Sequence, residues 1–276
     1  MPDILGVVAG TPHIPALLLV GEDEEGLGRT SRAYRAIRRQ IIDLTLPPGS
    51  SFTEASLARQ WDISKTPVRE ALARLRRDGL VSALPRAGYV VSPITLQDTD
   101  DLCALRSMLS SEAAGAAARA GCPAPALDRL EELSKVPLAL STGEVGQEEG
   151  LRAGIEFEGI IAAFSGNHRL GKAVVDAIDE LERVLRLAAL IDPSIASPPG
   201  ELAAIADRLR ARDTGGAHHA MRERCDRVRR DVLRVLAKST SVSQVHIQPP
   251  APAPAKQPPN AAPRATAAAR PKPRGA

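Results

Sequence analysis

Apolar positions in the first third of the chain recur at helical spacing and then give way to short β-rich runs. Ala33, Ile37, Ile41 and Leu44 repeat every three or four residues, which predicts a basic helix from about Arg29 that is ended by Pro47, Pro48 and Gly49. Residues 53–61 predict a second, shorter helix, with Thr53 as its cap and Leu57, Ala58 and Trp61 turned inward. Within residues 63–79, Val68, Ala71, Leu72 and Leu75 fall at i, i+3, i+4 and i+7, one buried stripe of a third helix. Thr66 is placed to cap that helix, Pro67 fits its first position, and Gly79 stands where a C-terminal glycine belongs. Residues 62–64 leave a break of helix-turn-helix length between the second and third helices. Residues 80–84 and 89–91 then read as two strands joined by 85–88, a hairpin with Arg86 at its tip. Three helices followed by a basic hairpin predict a winged helix.

The outward face of the third helix carries candidate chemistry. Arg69, Ala73 and Arg76 lie off the apolar stripe. A cationic face on a short helix suits the DNA major groove, where Arg makes paired hydrogen bonds to guanine O6 and N7. The same pattern also fits a solvated amphipathic helix, and the flanking elements favour the groove-reading one. Charge is distributed accordingly. The whole chain is only +3, yet residues 29–92 hold 12 Lys/Arg against 5 Asp/Glu. Phosphate binding needs such a local concentration, because affinity comes from counterion release at each neutralised phosphate.

Beyond residue 92 the pattern is helical throughout. Hydrophobic residues make up 43% of the chain and aromatics only 2%, so its cores must be mainly Leu, Ala, Val and Ile. Thr95 and Asp98 resemble a capping box that opens a long helix to about residue 120, with Leu102, Leu105, Leu109, Ala113 and Ala116 on one side. Residues 123–135 predict another helix, 136–147 a loop, and 151–164, 168–190, 199–212 and 215–238 four more. The expected domains are therefore a flexible extension (1–28), a winged helix (29–92), an all-helical domain (93–240) and a disordered basic tail (241–276). The first segment is either a real extension or the product of a start codon assigned too early. The last 28 residues hold nine prolines, ten alanines and five cations, a composition that favours an extended chain. They serve either as a solubilising remnant or as a loose cationic arm on DNA.

Several function classes lose support. No run reaches the ~18 apolar residues of a membrane span. Cys103, Cys122 and Cys225 have no CxxC spacing and read as reduced thiols of a cytoplasmic protein. There is no Gly-rich phosphate loop and no evident Ser/His/Asp or paired-carboxylate set, so the chain is not expected to be an enzyme. An architectural DNA-compacting protein is a weaker alternative, and it predicts binding with little sequence preference.

Residues 32–92 resemble the DNA-binding domain of the GntR family of bacterial transcription regulators. The resemblance rests on IRRQIIDLTLPPGSSFTEASLA, SKTPVREALARLRRDGLV and PRAGYVVS. It implies that Ser64, Lys65, Thr66 and Arg69 contact phosphates and base edges in the major groove, and that Arg86 and Gly88 approach the minor groove. Arg59, Arg74 and Arg76 are further candidates for phosphate contacts. Some members carry arginine where this chain has Ala55, so one base contact is expected to be missing. LCALRSMLSSEAAGAAA, EFEGIIAAFSGNHRL and LRARDTGGAHHAMRERCDRVRRDVL are similar to the FCD-type effector domain of the FadR-like branch. The implied protein is a homodimer on an inverted-repeat operator, more a repressor than an activator, gated by a small, acidic effector. A regulator with a degenerate pocket, independent of any effector, is the alternative.

Many FCD domains hold a divalent metal with one Asp and three His. The corresponding positions here are Gly154, Glu158, Leu202 and Arg224. Gly and Leu offer no donor, and Arg is a fixed cation, so no metal or other cofactor is expected. An improvised site from Glu158, Asp213 and one of His218 or His219 is the counter-reading. The resemblance implies an effector set of Arg106, Glu158, Asn167 and Arg224. Arg106 either receives a carboxylate, together with Arg224, or pairs with Glu158 or Glu112 and holds helices together.

Overall fold

The computed structural model describes residues 28–136, 144–192, 195 and 200–238. The expected N-terminal extension apart from Gly28, and the whole of the expected basic tail, lie outside them. The first body contains α1 (Arg29–Ile42), β1 (Ser51–Phe52), α2 (Glu54–Gln60), α3 (Lys65–Arg77), β2 (Val81–Leu84) and β3 (Gly88–Val91). Ile37 and Ile41 of α1, Leu57 of α2, and Val68, Leu72 and Leu75 of α3 close one core. Trp61 is half-buried at its edge.

Local chemistry explains the ends of these helices. Thr53 accepts from the Ser56 amide at 3.0 Å, and Ser56 Oγ accepts from the Thr53 amide at 3.1 Å, a reciprocal capping box. The start of α3 differs from the expectation. Ser64, in extended backbone, is the residue before the first turn, so Thr66 and Pro67 occupy the second and third helical positions. Proline is tolerated there because the first four helical N–H groups have no partner within the helix. Gly79 has φ +73°, and the Leu80 amide donates to the Leu75 carbonyl at 3.0 Å, closing α3 as a glycine terminus does. α1 ends at Ile42, before the prolines, and Leu44 takes φ +64° outside it.

The three strands form an antiparallel sheet in the order β1-β3-β2, with Phe52 opposite Tyr89 and Val81 opposite Val91. The sequence pattern gave no sign of β1, because two residues carry no period. Gly88 is required by it: φ is +105°, and an added Cβ would lie 2.3 Å from the Phe52 carbonyl oxygen. Gly88→Ala is expected to cost about 1–3 kcal/mol, read as a lower denaturant midpoint.

The second body is helical: α4 (Leu96–Ala120), α5 (Ala124–Ser134), α6 (Glu144–Ala163), α7 (His168–Ile191), α8 (Glu201–Arg210) and α9 (Thr214–Lys238). α6 begins inside the expected loop. Thr95 caps α4, accepting from the Asp98 amide at 3.1 Å. Of the expected stripe on α4, Ala113 and Ala116 are buried and Leu102 and Leu109 are half-buried against the apolar clusters, but Leu105 is not part of it. Leu105 is 45% exposed, whereas Cys103, Arg106, Ser107, Ser110 and Ser111 are buried. α9 lies so close that a Cβ on Gly115 would stand 3.3 Å from the His218 Cβ, so the buried face takes small and polar side chains that an apolar period misses.

Leu44 and Ile94 lie in one apolar cluster with Leu181, Val184, Leu187 and Val232. The stretch that leaves α1 and the link that follows β3 are thus both anchored on α7 and α9. Arg38 of α1 pairs with Asp179 of α7 at 3.2 Å, and Arg183 of α7 donates to the Ser92 carbonyl at 2.8 Å.

Candidate functional site

The surface beside the wing is built by α3. Burying Val68, Ala71, Leu72 and Leu75 turns Ser64, Lys65, Thr66, Arg69 and Arg76 outward, and all five are exposed. Arg86, at φ +65°, is exposed at the tip between β2 and β3. Arg59 is exposed on α2, with its Nε donating to the Ala55 carbonyl at 3.3 Å. Arg74 is drawn the other way: its guanidinium lies 4.0 Å over the Tyr34 ring, and Tyr34 donates to Asp78 at 2.8 Å. Burial, and then the Asp78 hydrogen bond, push the Tyr34 hydroxyl up to about 12. Arg74 therefore packs α3 against α1 instead of joining the outward row.

Arg69 is held by a residue that the sequence pattern did not single out. Its Nε and Nη2 donate to Glu54, at 3.1 Å and 2.9 Å to Oε2, and Tyr89 donates to Glu54 Oε1 at 3.2 Å. The Arg69 hydrogen bond holds the Glu54 carboxyl below its ordinary range. Arg69 remains 68% exposed, so the paired bond orients the guanidinium without covering it. The available signal was an acid in the first turn of α2, which sequence reasoning treats as a helix-end preference.

A second site lies where α4, α6, α7 and α9 meet. Glu158 of α6 is 2% exposed and accepts from Nε and Nη2 of Arg106, from α4, in a paired contact. Ser110 donates to it at 3.2 Å, and Arg224 of α9 donates to its Oε1. Burial by itself would raise the Glu158 carboxyl, but Arg106 and Arg224 outweigh it and hold the group below the usual carboxylate range. Arg106 moves the opposite way: burial opposes its charge, and Glu158 more than restores it. The open backbone at Gly154 makes room for Arg224, since an added Cβ would stand 3.2 Å from its Nη2.

These groups border a cavity of about 80 Å³ whose walls include Leu151, Ile155, Ile178, Leu181 and Leu185. Of the expected effector set, Arg106, Glu158 and Arg224 are brought together there. Asn167 is not. It caps α7, accepting from the Arg169 and Leu170 amides at 3.1 Å and 3.2 Å, and it lies on a separate open groove.

The positions that the resemblance assigns to a metal do not fit one here. Leu202 is an apolar core residue, Gly154 has no donor, and Glu158 is engaged by two guanidinium groups. The improvised set is not assembled either. Asp213 is bonded to Arg208 and to the Gly216 amide, both at 2.9 Å, and His219 faces Glu223 at 3.3 Å. Among the described residues, no three His, Cys, Asp or Glu side chains are grouped to hold a metal ion. No helix among them is long and apolar enough to cross a membrane.

Comparison with known proteins agrees with both halves. Residues 29–91 match "Bacterial regulatory proteins, gntR family", and residues 101–227 match the FCD domain. The chain belongs to the GntR family of DNA-binding transcription regulators, in the branch with a C-terminal FCD domain. It is 38% identical over 112 residues to an HTH-type regulator in the TAR-I ttuE-ttuC' intergenic region of Agrobacterium vitis, covering 41% of this chain and 66% of that protein. An HTH-type regulator in an unstable DNA locus of Streptomyces ambofaciens is 29% identical over 229 residues, covering 77% of this chain and 89% of it. The solved structure of E. coli McbR/YncC shares the fold, with a TM-score of 0.62 at 23% identity, over 75% of this chain and 98% of that one.

Proposed function

We propose that the protein acts in the cytoplasm as a homodimeric repressor that reads an inverted-repeat operator and changes its DNA affinity when a small acidic metabolite enters the α4–α6–α7–α9 cavity. The observation that carries the DNA half is the exposed row of Ser64, Lys65, Thr66 and Arg69 at the start of α3, together with the exposed wing tip at Arg86. A helix enters the major groove by its N-terminal residues in this architecture. Two such heads on one dimer call for two half-sites. Selection of binding sites from random duplexes by the full chain tests the reading. A palindromic consensus bound by two protomers is expected, and binding without sequence preference would sink it.

Dimerisation is supported by apolar side chains left on the surface of the helical body. Leu105 and Met108 of α4 are 45% and 57% exposed, and Leu190 of α7 is 67% exposed. Sedimentation of the full chain without DNA checks the state directly.

The regulatory half is supported by the position of α7. Ile178, Leu181 and Leu185 face the cavity, while Asp179 holds Arg38 of the head and Arg183 holds the link at Ser92. One helix therefore touches both the cavity and the reading head, so a shift in its placement reaches α1 directly. Arg183→Ala removes a mostly buried donor to a backbone carbonyl. It is expected to cost about 1–3 kcal/mol and to speed amide exchange in residues 92–96, as measured by hydrogen–deuterium exchange. Unchanged exchange there would remove Arg183 from the coupling.

The paired contact of Arg106 on Glu158 favours a second reading, in which the cluster only ties helices together and the regulator works by concentration alone. An operator affinity that no small acid alters would select it.

A further inference from the structure

The cavity wall is unbalanced in charge. Among the described lining residues, Arg106, Arg224 and Arg227 stand against one carboxylate, Glu158. Glu201 stands behind Arg227, accepting its paired hydrogen bonds at 2.8 Å and 2.7 Å. Asp231 also reaches Arg227, but it is shared with Arg234 at 2.7 Å. Among the described residues, these groups leave one positive charge over around the cavity. Arg224 carries the clearest sign of it. The side chain is 6% exposed, Glu201 Oε2 is 3.6 Å from its Nε, and that buried N–H has no hydrogen-bond partner among the described residues. A buried donor left unpaired costs about as much as a lost hydrogen bond, and the site relieves that cost when an acceptor enters.

The other described lining residues are apolar: Leu, Ile, Val and Gly. Resting on the effector reading above, we infer that the cavity takes a short aliphatic monocarboxylate, whose carboxylate accepts from Arg224 and whose tail lies among Ile155, Leu181 and Leu185. The Arg224 guanidinium supplies the positive charge that holds the carboxylate. A second carboxylate on the ligand would lack a matching cation, and hydroxyl groups would be desolvated against an apolar wall without partners. Both features select against dicarboxylates and sugar acids. A fixed guanidinium also makes binding independent of added metal.

Calorimetric titration of the full chain in chelator tests this with butyrate, isovalerate and hexanoate, using malonate, succinate and isovaleramide as comparators. Saturable binding is expected from the monocarboxylates alone. It should weaken roughly tenfold or more in Arg224→Gln, which loses a charge-assisted hydrogen bond. Leu185→Phe keeps the ion cluster, fills the tail space at a half-buried position, and should weaken binding similarly even if Arg224→Gln fails to fold. Tighter binding of a diacid or of the amide overturns the ligand class and leaves the effector reading standing. Unchanged affinity in Leu185→Phe overturns the placement. Heat from none of the six compounds overturns the ligand class and, with unaltered operator affinity, the effector reading as well.

Discussion

Glu158→Ala is expected to destabilise the protein by about 3–5 kcal/mol, the largest effect of any single substitution considered. The carboxylate lies between two buried guanidinium groups, Arg106 and Arg224. Without it, both cations remain in an environment that exchanges little with water, and neither can shed its proton. Chemical denaturation measures the loss. Glu158→Gln keeps an acceptor but not the charge, so its cost should fall between those of Glu158→Ala and the native chain. The triple change Arg106→Leu, Glu158→Leu and Arg224→Met should recover most of the stability, because an ion cluster replaced as a whole by apolar side chains is often neutral. If the triple variant is as unstable as Glu158→Ala, the cluster is doing more than balancing charge.

The same carboxylate gives the stability a pH dependence of known sign. Its value in the folded protein is depressed, below the ordinary unfolded value of about 4.3. The unfolded chain therefore binds the proton more readily. The contribution is fully present above the unfolded value and is lost as pH falls through the lower, folded one. Glu158→Gln should flatten that part of the acid limb of a stability profile and leave the neutral region flat.

Much of the head was legible because its signals are local. Thr53, Gly79 and the stripe from Val68 to Leu75 each specify structure within a turn or two, and each is found in that role. The errors arise where tertiary contact overrides a local rule. Leu44 looks like the next turn of α1 but is taken by a cluster on α7 and α9. Leu105 looks buried by period but is exposed, since close approach of α9 gives the inner face of α4 to serines, alanines and one arginine. The Arg106–Glu158 pair could be posed from sequence as one of two options, but its paired geometry could not. Asn167 shows the opposite failure. A side chain grouped with the pocket by resemblance is used up by capping α7.

Arg69→Ala is expected to lower operator affinity roughly ten- to a hundredfold and to relax preference at one base position in each half-site. Lys65→Ala should instead weaken binding to all duplexes alike and reduce the salt slope by roughly one. The contrast follows from what each side chain can offer: a planar fork for a base edge in Arg69, a point charge for a phosphate in Lys65. Glu54 adds a third variant with its own signature. It orients the Arg69 guanidinium through Nε and Nη2, and on the proposed docking it would bring a negative charge towards the phosphates. Glu54→Gln should therefore leave affinity for random duplex unchanged or raised while narrowing the gap between operator and random sequence. Fluorescence anisotropy with operator, single-base variants and random duplex, each at two salt concentrations, separates the three patterns. An Arg69→Ala loss that is equal on operator and random duplex would assign Arg69 to the phosphates and move base reading to Thr66 and the wing.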